Sequence, residues 1–349
     1  MRFTRLACFG FLLAMPACGG GSGDGSDGAG GGGTACPAGT EPCNGTCVSP
    51  GTCAAAGGLG GGMSLGGGGA TTLGGAGASG GGSSSIGGAP SSGGSTPDPP
   101  DQCTDTSTTS VTLATQYAAA TIATDKPNKN YFVHTNWWHL FNGQQLNVNG
   151  LGFKVSDPNN VSSSSSDGAP TGYPSLFIGS YQGRTSVGSN LPKQVQSLTS
   201  IPTIMNTNAS SVGTSNINAS YDVWFTPNAS PLSDTASAPP AGGAYLMVWL
   251  FKPSSRQPRG GVRSSGHTVN NVTGSWDVWV DSSNPPVISY VSTTARDQLS
   301  FDLAAFIKDS VANNYGITNS MYLSIVFGGF EIWGGGNNLS LDKFCVKVN

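Results

Sequence analysis

The chain has 349 residues, of which 9% are charged, and a formal net charge of −3. No basic stripe is available to neutralise phosphates, which excludes nucleic acid as an expected partner. Glycine divides the chain: 33 of its 54 glycines fall in the first 100 residues, and the remaining length of about 250 residues is enough for one domain with a real core.

Residues 1–17 read as an export signal. Arg2 and Arg5 supply a positive start, and Leu6 to Ala14 form an apolar stretch too short to hold in a bilayer. The segment ends Met15-Pro16-Ala17-Cys18, which resembles a bacterial lipoprotein box. That resemblance makes Cys18 a lipid anchor and the only expected contact with a membrane; ordinary cleavage and release is the alternative. Either way an exported protein is expected, as a cell-surface or outer-membrane lipoprotein or a secreted one.

A Gly-rich tether follows over 18–35, and a Gly/Ser/Pro linker over 54–101. No aromatic residue occurs between Phe11 and Tyr117, and no basic one between Arg5 and Lys126. Such segments cannot bury enough apolar surface to offset chain entropy, so disorder is expected. Between them lies a Cys-rich knot, 36–53. Cys36, Cys43, Cys47 and Cys53 predict two disulfides of open connectivity.

From residue 102 to 349 the pattern turns strand-like. Phe153 to Val155, Ser175 to Ile178, Tyr221 to Phe225, Tyr245 to Phe251, Trp276 to Val280, Val287 to Val291 and Tyr322 to Phe327 are short runs rich in β-branched and aromatic residues, separated by Gly, Pro, Asn and Ser. Leu303, Phe306, Ile307 and Val311 recur at helical spacing, with Asp302 placed as N-cap. Many strands and one helix predict an all-β sandwich or jelly roll. Cys103 and Cys345 bracket this domain and are expected to pair.

Glu331 is the only glutamate beyond position 41. It sits in Phe327-Gly-Gly-Phe-Glu331-Ile-Trp333, where flanking aromatics and glycines suit a cleft wall that stacks on a sugar ring. His134, His139 and His267 have no ligand spacing with Cys or carboxylate, so neither a catalytic metal nor another cofactor is expected. No phosphate loop and no serine nucleophile elbow occur.

Four runs, in order, resemble glycoside hydrolase family 12, the compact endoglucanases and xyloglucanases. They are Asp167-Gly-Ala-Pro-Thr-Gly-Tyr-Pro174-Ser-Leu-Phe-Ile-Gly179, Asn218-Ala-Ser-Tyr-Asp222-Val-Trp-Phe, Tyr245-Leu-Met247-Val-Trp249-Leu and Gly329-Phe-Glu331-Ile-Trp333. The resemblance spans about 103–349. It implies a curved two-sheet β-jelly roll, a concanavalin-like sandwich, with a long cleft and one helix on its back. It further implies a monomer that acts on β-1,4-glucan without a cofactor: cellulose, mixed-linkage glucan or xyloglucan.

By resemblance Glu331 is the general acid/base, and Asp222 is the aspartate that supports the nucleophile. Asn136 and Trp138, in Thr135-Asn-Trp-Trp-His139, match the start of the cleft; Trp138 is the sugar platform, with Trp137 as its alternative. Met247 and Trp333 line the same cleft. Arg259 replaces the isoleucine of a Pro-Ile-Gly loop, where it can reach sugar hydroxyls.

One departure is chemical. The family uses two glutamates about 5–5.5 Å apart in a retaining mechanism, and the nucleophile position here is Tyr245. A phenol of pKa near 10 attacks poorly at neutral pH. Three outcomes stay open: Tyr245 attacking with Asp222 as its base, Asp222 activating a water with inversion, or a lapsed surface lipoprotein that binds β-glucan without cutting it.

Overall fold

A computed structural model of the protein describes residues 41–43, 46–48, 102–139, 141–159, 168–212 and 216–349. The chain falls into two units, one within 14–93 and a larger one that includes 94–349. In the first, β1 (Glu41–Cys43) pairs antiparallel with β2 (Thr46–Val48), Pro42 opposite Cys47. Asn44-Gly45 between them is the strongest short-range hairpin signal, and the reading of this stretch as a cysteine knot passed over it. The export signal, Cys18, the tether, Cys36, Cys53, the linker and the pairing of the knot's four cysteines lie outside the described residues.

The large unit is a two-sheet jelly roll. Its small sheet runs β17 (Gln298–Asp302), β11 (Pro202–Thr207), β19 (Ser340–Val346), β7 (Phe153–Ser156), β6 (Gln145–Asn149), β3 (Ser110–Leu113). The large sheet runs β14 (Gly261–His267), β15 (Trp276–Asp281), β16 (Val287–Ser292), β13 (Ala244–Phe251), β12 (Ile217–Thr226), β18 (Tyr322–Ile332), β8 (Ser175–Tyr181), β5 (Asn130–His134), β4 (Ala119–Ala123). The two-residue strands β9 (Arg184–Thr185) and β10 (Lys193–Gln194) pair with β8 and β18. Each of the seven predicted runs is a strand.

Side chains alternate across these strands. On β12, Ile217, Ala219, Tyr221, Val223 and Phe225 turn inward to the core between the sheets. There Tyr221 meets Phe344 of the small sheet, ring centroids 5.9 Å apart, and Phe330 of β18 meets Phe153 at 5.9 Å. The even-numbered residues of β12 therefore point to the opposite, outer face.

A single turn, α1 (Ala209–Val212), precedes β12. The predicted helix is α2 (Leu303–Ala312), capped by Asp302, whose carboxylate accepts from the Ala304 amide at 3.0 Å. Phe306 anchors it against Trp276 and Tyr290, with centroids 4.8 and 5.0 Å away. Cys103 and Cys345 form the expected disulfide. Among the described residues no helix is long and apolar enough to cross a membrane.

Candidate active-site cleft

The outer face of the large sheet is assembled by register. Asp222 of β12 lies opposite Met247 of β13 and Phe327 of β18, Trp224 lies opposite Tyr245, and Asn218 lies opposite Glu331. Alternation thus puts Asp222, Tyr245 and Glu331 on one surface. Phe132, Trp138, Asp222, Tyr245, Met247, Trp279 and Glu331 are only half-exposed or less, although the small sheet packs on the other side. Neighbouring side chains therefore cover much of this face.

Two aromatic clusters line it. One gathers Tyr173, Phe177, Tyr181, Trp224, Ile325 and Phe327, with Phe132, Trp138 and Tyr245 at its edge. The other gathers Trp249, Val291 and Trp333, with Met247 and Trp279. Neither belongs to the core between the sheets. Gly328 and Gly329 allow close approach on β18 itself: a Cβ on the first would collide with the Phe344 ring of the small sheet, and one on the second with the Pro174 carbonyl oxygen.

Glu331 is held by Asn218. The Asn218 Nδ2 donates to the Glu331 carboxyl, and its Oδ1 accepts from the Glu331 amide at 3.0 Å. Ser220 Oγ donates to the same Oδ1 at 3.2 Å, fixing the amide's orientation. Burial raises the Glu331 pKa to about 8, against the lowering effect of the Asn218 bond and with a smaller push from Asp222. At neutral pH this carboxyl keeps its proton. Asn218 was missed at the level of sequence, though a period of two from Asp222 places it on the same face.

Asp222 accepts from Trp224 Nε1 at 2.9 Å through one oxygen, while its buried Oδ1 has no hydrogen-bond partner. Desolvation raises its pKa to about 7, against the Trp224 and Val223 bonds. Tyr245 packs edge-on to Trp224 at 5.5 Å. Burial, then the charge of Asp222, pushes its phenol well above the ordinary tyrosine range, only partly offset by Arg259. The hydroxyl is neutral at any physiological pH.

The remaining predicted residues divide. Trp138 joins the outer aromatic cluster, and Met247 packs beside Trp249. Asn136 adopts a left-handed backbone, φ 47°, and its Nδ2 donates to the Tyr173 carbonyl at 3.5 Å. Trp333 is nearly covered; its Nε1 donates to the Gly168 carbonyl at 2.7 Å, and Arg256 lies over its ring. Arg259 pairs with Asp281 at 2.6 Å. Trp137 is a correction. It is 1% exposed and belongs to the core between the sheets, where its backbone bridges to Gly172, so it offers no face to a sugar.

The profile of "Glycosyl hydrolase family 12" matches residues 129–349. A probable cellulase of Mycobacterium tuberculosis is 32% identical over 168 residues, which is 47% of this chain and 100% of that protein. An endoglucanase structure from Rhodothermus marinus aligns at 30% identity with a TM-score of 0.58, covering 68% of this chain and 99% of that one. A xyloglucanase of Bacillus licheniformis, at 20% identity and a TM-score of 0.54, shares the fold over 69% of this chain and 100% of its own.

Proposed function

This chain belongs to glycosyl hydrolase family 12, and on that premise we propose that it acts on a β-1,4-glucan lying along the outer face of the large sheet. The observation that carries this reading is Glu331. Burial favours its protonated form at neutral pH, Asn218 fixes its direction, and the partly exposed rings of Phe132, Trp138, Tyr245 and Trp279 at the edges of the two clusters supply stacking surface. A protonated carboxyl facing a sugar trough is the equipment for protonating a glycosidic oxygen. Cellulose, mixed-linkage glucan and xyloglucan all present that linkage. Asn136, Trp138, Met247, Trp333 and Arg259 are proposed to hold the chain.

In the hydrolytic form of this reading Asp222 is the partner of Glu331. It is the carboxyl whose charge reaches both Glu331 and Tyr245, and one of its oxygens is uncommitted. It serves as base either to the Tyr245 hydroxyl or to a water. A second reading, glucan binding without cleavage, is favoured by Tyr245 itself, whose phenol stays neutral where the family resemblance calls for a carboxylate nucleophile. Reducing-end release from β-glucan and xyloglucan separates the two. Wild-type turnover that disappears in Glu331→Gln establishes hydrolysis. Turnover that appears only in Tyr245→Glu establishes a lapsed enzyme, and absence of glucan binding in every variant overturns both.

We also propose that Cys18 carries a lipid and that residues 18–35 and 54–101 space the catalytic unit from a cell surface. Fatty-acid labelling of the exported protein, lost in Cys18→Ser, is the expected result; unlabelled wild-type protein points to plain secretion.

A further inference from the structure

The cleft has a charge pattern that a neutral glucan does not use. Arg256 places its guanidinium carbon 5.2 Å above the Trp333 ring, and its buried Nε has no hydrogen-bond partner. Arg259, 48% exposed, pairs with Asp281 and acts electrostatically on Tyr245. On the other flank Arg184 acts on Tyr181 and His134, while its Nη1 donates to the Gln182 carbonyl at 3.1 Å. Among the described residues no carboxylate stands within ion-pair distance of Arg184 or Arg256. Asp281 is engaged by Arg259, and Asp234, whose carboxylate lies beside Gly183, makes no ion pair with Arg184. At the centre stand a neutral phenol and two carboxyls whose ionisation burial disfavours.

We propose that this cleft takes a β-linked glycan bearing carboxylate groups, held along its flanks by Arg184, Arg256 and Arg259. The inference rests on the reading that a β-glucan-type chain lies on this face, and it narrows the substrate class. Three arguments support it. A guanidinium presents a planar fork that matches a carboxylate, so arginines suit this ligand better than they suit hydroxyls. A partly buried cation with only an indole for company is under-compensated, and an incoming anion would complete it. Finally, an ionised glutamate at position 245 would repel a polyanionic chain at the centre of the cleft, whereas the Tyr245 phenol does not.

The net charge of −3 makes the test sharp, because non-specific electrostatics should disfavour an acidic polymer. Binding of the full-length protein to carboxymethylcellulose and to hydroxyethylcellulose, measured by calorimetry at low and high salt, compares one backbone with and without carboxylates. The expected result is about tenfold tighter binding of the carboxylated polymer at low salt, the scale of one charge-assisted hydrogen bond. That ratio should shrink at high salt and fall toward one in Arg256→Gln and in Arg184→Gln. Arg256→Lys should restore only part of it, since an ammonium lacks the fork. Equal affinity of the wild type for both polymers overturns the inference and leaves the glucan reading standing. A preference that survives both arginine substitutions also overturns it. Failure to bind either polymer removes the glucan reading as well.

Discussion

At the scale of single residues the cleft trades stability for a proton. Glu331 moves from an ordinary 4.5 to about 8, and Asp222 from 3.8 to about 7, both chiefly through desolvation. A raised folded-state pKa stabilises the fold fully below the unfolded value, and that contribution is lost as pH rises through the folded one. His134 works in the opposite sense. Buried and bonded to Ser175 Oγ at 2.6 Å, it stays neutral down to about 3, so its contribution is present above 6.5 and lost as pH falls. The clean observable is therefore a difference between variants. Glu331→Gln cannot ionise, so its melting temperature should match or exceed the wild type's by a margin that widens from about pH 5 to about pH 9. A constant margin across that range would mean that Glu331 is ordinarily ionised, and the proposal that it donates a proton at neutral pH would fail with it. The sequence singles out Glu331 because no other glutamate lies beyond position 41, and Asp222 because a carboxylate inside an aromatic strand demands a reason; the structure puts both on the outer face of the large sheet. Trp137 misled because two adjacent tryptophans look equivalent until the fold buries one of them, through its bridge to Gly172, in the core between the sheets.

At the scale of elements, legibility followed the density of β-branched and aromatic residues along a strand. The seven runs recognised in advance pack in the interiors of the sheets, where β-branched and aromatic residues must cover a pleated surface. β12 is buried along nearly its whole length, so its pattern is dense and hard to mistake. The elements that escaped notice are of two kinds: edge strands, and interior strands such as β5, β11 and β19 whose apolar residues are interrupted by Asn, Thr, Asp or Lys. β14, Gly-Val-Arg-Ser-Ser-Gly-His, is mostly exposed and pairs with β15 through two register shifts. β3 shows one buried residue in four. Such strands are specified by the neighbour that offers them hydrogen bonds rather than by their own composition. α2 was legible because its cap is local: Asp302 bonds the Ala304 amide and, at 2.6 Å, the Ile201 amide as well. The parallel pairing of β13 with β16 had no local signature. It brings Ser289 beside Met247 and sets how the nucleophile-position strand faces the rest of the cleft, a consequence of long-range topology alone.

At the scale of the molecule, one covalent bond ties the start of the large unit to its end. Cys103 and Cys345 are 242 residues apart in sequence, with Cα atoms 5.7 Å apart in space. Cys345 lies on β19, an interior strand of the small sheet, so the point where the chain enters the fold is fixed to that sheet's interior instead of its edge strand β3. A buried polar knot sits beside it: Tyr131 donates to Asp105 at 2.6 Å and Lys129 pairs with Asp105 at 2.5 Å. Closing a loop this long removes much of the freedom of the unfolded chain, and the chain-entropy relation puts the effect at roughly 5 kcal/mol, less whatever the native bond geometry costs. For a domain of about 250 residues that corresponds to a fall in melting temperature on the order of 10 °C when the bond is lost. Cys103→Ser with Cys345→Ser, compared with the oxidised wild type by calorimetry, should show that fall while leaving the outer face, and the glucan binding proposed for it, intact at low temperature. An unchanged melting temperature would mean that the polar knot alone already fixes the entry point. The disulfide would then serve to resist pulling through residue 102, which force-dependent unfolding of the same pair of proteins would reveal as a lower rupture force in the double variant.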